Sequence, residues 1–403
     1  LAQLASIENT VEEQNYYLMT AILFWCGLVV VSSLYITIPL VSIFTETFEV
    51  VAAQAAWTSS AFSFFYALGF LVFGPLSDRY GRKQIILFGL ITLTIVSPIL
   101  GFSNSLPALI MLRGLQGIAA ATFAPSALSY VVEMFPVENR VRAIAFVSTG
   151  FLMAGIVGQV FSSLISEIVD WNSVFYYLGA VYFITTILVV LFIPKGDIQN
   201  KNCSLLVTFK QMGAVLTKKS LLFCYIITVT LLLSFVGMYT TFGNYLSLEF
   251  HLSNQQILYI RSVGIIGMLL SPFAGRFVDK FGIYNVLRGG LTLAVLGLAS
   301  LGISSSLSFL IIMSVIFVAG ISITVPTLIS LVGQLGGEAR GIAVTLYTFI
   351  LFIGATLGPL VAVPLLKRGS YFMTFEILAM LLSIGLVVSF AIRPEKNLEQ
   401  ENT

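Results

Sequence analysis

The chain has 403 residues, 58% of them hydrophobic and only 9% charged, with a mean hydropathy of +1.00. Soluble domains carry about 25% charged residues, so a water-soluble fold is excluded and lipid is the solvent for most of this sequence. A net charge of +2 and a single histidine, His251, offer no basic face for nucleic acid and no ligand set for a metal or for histidine-based acid–base chemistry.

Taken in order, the apolar stretches between charges, prolines, glycines and polar clusters predict twelve helices of about 20 residues or more, enough to cross about 30 Å of hydrocarbon. They run 16–43, 55–76, 84–103, 107–132, 142–164, 173–193, 221–248, 257–277, 284–303, 307–334, 341–366 and 371–392. The first follows an acidic lead (Glu8, Glu12, Glu13) and is too long for the core of a signal peptide, so it reads as a retained span. Between the second and third lies Gly74-Pro75-Leu76-Ser77-Asp78-Arg79-Tyr80-Gly81-Arg82-Lys83, the only dense basic cluster of the first 130 residues. The fourth holds Arg113-Gly114-Leu115-Gln116-Gly117. An arginine there costs at least roughly 2.5 kcal/mol on insertion scales, so Arg113 is expected to face the interior and bond to neighbouring carbonyls or hydroxyls.

The polar, basic stretch from Lys195 to Ser220 contains no spanning run and divides the chain into 1–194 and 221–403. Gly74, Asp78 and Gly81 recur at Gly275, Asp279 and Gly282, and Pro194 and Pro394 close the sixth and twelfth segments alike. The expected fold is therefore an all-α membrane protein of twelve transmembrane helices in two pseudo-symmetric six-helix bundles joined by a cytoplasmic linker. With both termini inside, the cytoplasmic side collects sixteen of the Lys and Arg residues, Arg79, Arg82, Lys83, Arg140, Arg142, Arg340, Lys201, Lys210, Arg393 and Lys396 among them, against only Lys367 and Arg368 outside. Cys26, Cys203 and Cys224 have neither paired nor metal-ligand spacing and are expected to be unpaired thiols.

In this pattern the chain resembles the major facilitator superfamily of secondary transporters, and the resemblance covers all twelve segments. The loop is similar to that superfamily's signature motif at Gly74, Asp78, Arg79, Gly81, Arg82 and Lys83, with a degenerate copy from Gly275 to Gly282. Arg79 and Arg82 can pair with Asp78 or with Glu133 at the end of the fourth segment. The resemblance implies that this network holds the two halves together on the inner side in the outward-open state, with Arg140 and Arg340 as outlying contacts; Lys83 serves equally as a positive-inside anchor.

Arg113, Gln116 and Gly117 resemble an Arg-x-x-Gln-Gly segment of the drug-efflux branch, which implies a part in proton coupling. The twelve-helix drug/proton antiporter branch is the nearest match, with two departures. Gly150 to Gly158 lacks the proline of that branch's fifth helix, which leaves antiport, uniport and symport open, whereas Gly354 to Pro359 in the eleventh is closer. Ser33-Leu34-Tyr35 stands where several exporters carry Asp-x-Tyr, so the remaining acids are Asp78 and Glu133 at the inner boundary and Glu249 and Glu376 at the outer.

Such a fold places a cavity between the halves near the midplane. Ser32, Ser33, Tyr35, Tyr66, Tyr239, Asn244, Thr324 and Thr327 are candidates for its walls, although hydroxyls in membrane helices also satisfy their own backbone. Without a midplane cationic cluster, phosphate esters and dicarboxylates are disfavoured, and a neutral, amphipathic or cationic small molecule fits better. Arg261 is open to three readings: a pair with Glu249, an anion site, or a snorkelling interfacial arginine. The expected function is secondary active transport across the cytoplasmic membrane by alternating access, as proton-coupled efflux of an amphipathic compound by a monomer. Movement of a small polar solute such as a sugar, or a non-transporting membrane sensor, are the alternatives. Neither an enzyme activity, a cofactor nor a metal is expected, and the absence of a phosphate-binding loop excludes ATP-driven transport by this chain.

Overall fold

A computed structural model describes residues 2–196, 212–303 and 306–392. All regular structure among them is helical. Ten apolar stretches are long enough to cross a membrane, one of which, Leu307–Leu366, comprises two helices, and the shorter apolar run Tyr16–Ser32 completes twelve. We label the helices by span: α1 Ala2–Ser32, α2 Trp57–Tyr80, α3 Arg82–Gly101, α4 Leu106–Ala120 continued by Phe123–Met134, α5 Val137–Ile168 and α6 Trp171–Phe192. The second half comprises α7 Lys219–Leu248, α8 Asn254–Met268 continued by Ser271–Phe273 and Ala274–Phe281, α9 Ile283–Ser300, α10 Leu307–Gly336, α11 Arg340–Arg368 and α12 Tyr371–Ala391.

Three spans differ from the sequence expectation. The first leaves the α-helix at Ser32 rather than near 43, and the next residues tighten into turns in which Ser33, Leu34 and Tyr35 each donate to the carbonyl three residues back. Pro39 disfavours helix at the residue before it, and a short separate helix, Val41–Thr47, follows. The fourth breaks at Ala121 and Thr122, and Pro125 explains it, because its ring crowds the carbonyl of Ala121 four residues back. Pro272 stands in the same relation to Met268, where the first part of α8 ends. Pro75, Pro98 and Pro326, by contrast, lie within continuous helices. Cys26 and Cys224 are buried free thiols; Cys203, Lys201, Lys210, Arg393, Pro394, Lys396 and the linker from 197 to 211 lie outside the described residues.

The repeat is visible in the packing. In the first half α1 packs on α5, α2 on α4 and α3 on α6; in the second α7 packs on α11, α8 on α10 and α9 on α12. Even the caps repeat: Asp170 accepts from Ser173 N at 2.7 Å to start α6, and Ser370 accepts from Met373 N at 3.2 Å to start α12. The halves meet through two related pairs of contacts, α2 and α4 on α11, and α8 and α10 on α5.

Lipid supplies no hydrophobic drive between helices, so close backbone approach at small residues carries much of this packing. A Cβ on Gly117 would sit 3.1 Å from Phe62 Cα and meet its carbonyl oxygen across the α2–α4 contact. Both sides are helix backbone, so neither can yield locally. Gly117→Val is expected to destabilise by about 1–3 kcal/mol, the usual cost of overpacking, and to lower the thermal unfolding midpoint in detergent. Gly289→Ala, at a helical position with nothing within 4 Å, is the control and should not.

Candidate functional site

A single residue, Gly81, connects α2 to α3, with φ +99. That conformation favours glycine, and Gly282 repeats it with φ +80 between α8 and α9. The tight turn makes Arg82 the first residue of α3 and brings it beneath the end of α2, where it is only 6% exposed. Its Nη2 pairs with Asp78 Oδ1 and, at 2.7 Å, with Glu133 Oε1; Nε donates to Glu133 Oε2 at 3.2 Å. Nη1 bonds to Ser77 Oγ and to Gly74 O. One guanidinium thus ties the end of α2 to the end of α4 with a bidentate grip on Glu133 that an ammonium could not reproduce.

Of the two arginines the sequence offers, only Arg82 makes the pair. Arg79 is exposed, with its guanidinium 5.4 Å from the Tyr80 ring. Lys83 donates to Val190 O at 2.9 Å in the last turn of α6, where a cation complements the helix dipole. Asp279, the repeat of Asp78, is exposed, and the Arg82 pairs are the only ion pairs among the described residues. The repeat therefore preserves the backbone turn and drops the charge network.

The second half closes over this cluster. A Cβ on Gly341, in the first turn of α11, would meet Arg82 Nη2, Glu133 Oε1 and Asp78 Oδ1. The positive end of that helix faces two carboxylates that share one cation, an attractive arrangement. Ser129 Oγ donates to Gly341 O at 3.4 Å, and Gly74 lies directly against the side chain of Thr345. On the related side Ser271 Oγ donates to Ala145 O at 2.9 Å and Gly275 abuts Arg142. Arg140 and Arg142 bond within their own half, to Phe135 O and to the Tyr17 hydroxyl. The face bearing the Gly74–Lys83 loop, hereafter the motif face, is shut.

Above that closure a cavity of about 270 Å³ lies between the halves. Leu128, Phe151, Leu152, Phe235, Leu351 and Phe352 give it apolar walls, and Tyr35, Ser148, Gln159, Tyr239, Thr240 and Arg261 supply polar atoms. A second cavity of about 630 Å³ shares Ile38, Gln159, Thr240 and Arg261 with it and leads away from the motif face past Asn244 and Glu167. The deep cavity thus shares four wall residues with a vestibule on the opposite side.

Tyr35, Tyr239 and Asn244 line these spaces, whereas the five other candidates do not. Ser33 is buried and shares a hydrogen bond with the Tyr182 hydroxyl. Tyr66 packs behind Phe352, ring centroids 5.1 Å apart, with no partner for its hydroxyl. Thr324 and Thr327 are buried and donate to Gly320 O and Ile323 O of their own helix, each at 2.7 Å. Ser32 likewise donates to Leu28 O at 2.6 Å. Gln159, absent from the sequence candidates, was signalled by being an amide in an otherwise apolar stretch of α5.

Arg113 is fully buried beside α1 and α2. It donates to Ser33 O at 2.9 Å, Thr58 O at 3.2 Å, Thr37 Oγ1 at 3.3 Å and Gln116 Oε1 at 2.6 Å, and lies 4.4 Å from the centre of the Phe62 ring. Gln116 passes the chain on to Ser97 Oγ at 3.0 Å. Ser33 belongs to the turn that follows α1, so its carbonyl is available to the arginine.

Two six-helix halves around a central cavity are the architecture of a membrane transporter. The sequence profile of the Major Facilitator Superfamily matches residues 23–359 and again 238–403, and the chain belongs to that superfamily. An "Uncharacterized transporter" of Buchnera aphidicola subsp. Schizaphis graminum is 27% identical over 87% of this chain and 86% of its own length. The "Multidrug resistance protein MdtG" of Proteus mirabilis is 26% identical over 62% of this chain and 64% of its own. Among solved structures, the human organic anion transporter MFSD10 (TETRAN) superposes with a TM-score of 0.77 at 16% identity, covering 93% of this chain and 99% of that one.

Proposed function

We propose that this transporter is a monomer of the cytoplasmic membrane, with both termini cytoplasmic, that exports an amphipathic small molecule in exchange for protons. The observation that carries this reading is the largely apolar cavity between the halves, covered at the basic motif face by α11 and sharing four wall residues with the opposite vestibule. The loop charge bias assigns the motif face to the cytoplasm, so this conformation faces outward. Relatives named as multidrug resistance proteins agree with an amphipathic cargo. A sugar fits less well, because few of the wall residues can bond to its hydroxyls.

In the proposed cycle the halves rock about the cavity, and inward opening lifts Gly341 and Thr345 off the Arg82 cluster. Asp78 and Glu133 share one guanidinium, so protonating either weakens the attraction to the start of α11 and eases that separation. Arg113 links the end of α1 to α2 and α4 and is the second coupling element. In everted membrane vesicles, an acid-inside gradient is expected to drive accumulation of an amphipathic fluorescent substrate, and a protonophore to abolish it. Accumulation indifferent to the gradient would remove proton coupling from the reading, and binding without accumulation would favour a sensor.

A further inference from the structure

The deep cavity has one charged residue in its wall, and it is a cation. Arg261, in the first part of α8, lines both the cavity and the vestibule. Its Nη2 donates to Tyr239 O at 2.7 Å, and its guanidinium carbon lies 5.9 Å from the centre of the Tyr239 ring. Its buried Nε has no hydrogen-bond partner, and neither does the Tyr239 hydroxyl. Gly243, the close neighbour on α7, leaves room for the guanidinium, since a Cβ there would overlap Nη2. No carboxylate pairs with it; the Glu249 partner open at the level of sequence is not made, because the only ion pairs among the described residues belong to Arg82.

An unpaired guanidinium in a largely apolar cavity is costly to keep. Its place in the cavity wall, with a single hydrogen bond from Nη2 and no carboxylate partner, points to a charge that arrives with the ligand. We infer that the cargo is an amphipathic monoanion, an apolar body with a single carboxylate or sulfonate, and that Arg261 binds that charge. The inference rests on the transport reading above and narrows its substrate class. A cationic cargo would meet like charge in a medium of low dielectric constant. A dianion would bring a second charge with no partner in the wall. Glu167, the one acid in the vestibule, is exposed, accepts from Gln255 Nε2 at 3.2 Å and is screened by salt, so it sets no preference for cations in the deep cavity. Leu128, Phe151, Phe235 and Phe352 take the apolar body.

The test uses the full chain in lipid nanodiscs and three probes that share one body: para-butylbenzoate, para-butylbenzamide and para-butylbenzylamine. Affinity is expected to fall from acid to amide to amine, the acid exceeding the amide about tenfold, as one charge-assisted hydrogen bond in a dry site provides. Arg261→Gln should bring the acid down to the level of the amide, while Arg261→Lys should keep the acid ahead of the amine. Because the ranking on the unmodified protein is itself decisive, a variant that fails to fold does not protect the inference. Failure of the acid to bind, an amine bound as well as the acid, or unchanged acid affinity in Arg261→Gln overturns it. Flux of the same probes in proteoliposomes separates the two readings. Acid bound through Arg261 but not carried would sink transport while the charge assignment stands; amine carried and acid refused would sink the charge assignment while transport stands.

Discussion

Arg82→Ala is expected to abolish transport and to leave the motif face unable to stay shut. In the intact protein the Arg82 guanidinium joins Asp78, Glu133, Ser77 and Gly74 and forms the floor on which Gly341 rests. Removing one partner of a buried pair costs about 3–5 kcal/mol, because the other charge is left without compensation; here two carboxylates, 16% and 10% exposed, are left facing each other. The attraction that holds α11 against α2 and α4 depends on that floor, so the outward-facing state loses most. Arg82→Lys should rescue poorly, since a point charge cannot hold Glu133 in two places and Asp78 besides. A Thr345→Cys reporter in an otherwise cysteine-free background reads the effect directly. Its thiol should resist a membrane-impermeant maleimide from the motif face in the parent and react in the Arg82→Ala protein. Adding Glu133→Gln to Arg82→Ala removes one orphaned charge and should recover part of the lost closure, a non-additive result expected of residues in one network. Full flux together with an unreactive reporter thiol in the Arg82→Ala protein would deny the cluster its gating role.

The expected cluster was legible because its chemistry is local and its context unusual: basic residues and a carboxylate on a glycine turn between two uncharged spans. Which arginine makes the pair was not legible from charge alone. Arg79 and Arg82 are equivalent as cations, and only the positive φ at Gly81, which ends one helix and starts the next, turns Arg82 under α2 and leaves Arg79 on the surface. The helix breaks show the same limit. Pro125 and Pro272 accompany breaks four residues upstream, whereas Pro326 sits in a continuous helix, so the tertiary setting decides what the residue type leaves open.

The cavity was harder to read, for a reason particular to lipid. In a soluble protein an apolar stripe marks the face turned from solvent; in a membrane, apolar residues suit both lipid and an apolar cargo site. Phe151, Phe235 and Phe352 therefore carry no sequence signal that separates a cavity wall from a lipid-facing surface. The hydroxyls misled in the opposite sense. Ser32, Thr324 and Thr327 looked like polar wall atoms, but each donates to a carbonyl four residues back in its own helix, which is how a lone hydroxyl avoids being unsatisfied in hydrocarbon. Gln159 also donates to a carbonyl four residues back, Gly155 O at 2.6 Å, yet it still lines the cavity, as does Arg261, whose Nη2 bonds to Tyr239 O of α7.

Arg113→Ala is expected to separate substrate movement from the proton gradient, at a cost in stability. The guanidinium is fully buried and bonds to two backbone carbonyls, one from the turn after α1 and one from α2, as well as to Thr37 and Gln116. Hydrogen bonds to a charged group contribute about 1.5–3 kcal/mol each, and the orphaned carbonyls have no water to turn to, so a clear fall in the unfolding midpoint should accompany the change. Arg113→Lys keeps the charge but not the fork, and cannot reach Ser33 O, Thr58 O and Gln116 Oε1 together. If the residue only packs helices, the lysine variant should lose stability and flux in proportion and keep the parent's dependence on the gradient. If it couples, as proposed, flux down a substrate gradient should persist in folded Arg113→Lys protein while accumulation driven by an acid-inside gradient is lost. Comparing downhill exchange with gradient-driven uptake in the same proteoliposomes distinguishes these outcomes, and an unaltered response to the gradient in the lysine variant would reduce Arg113 to a structural brace between α1, α2 and α4.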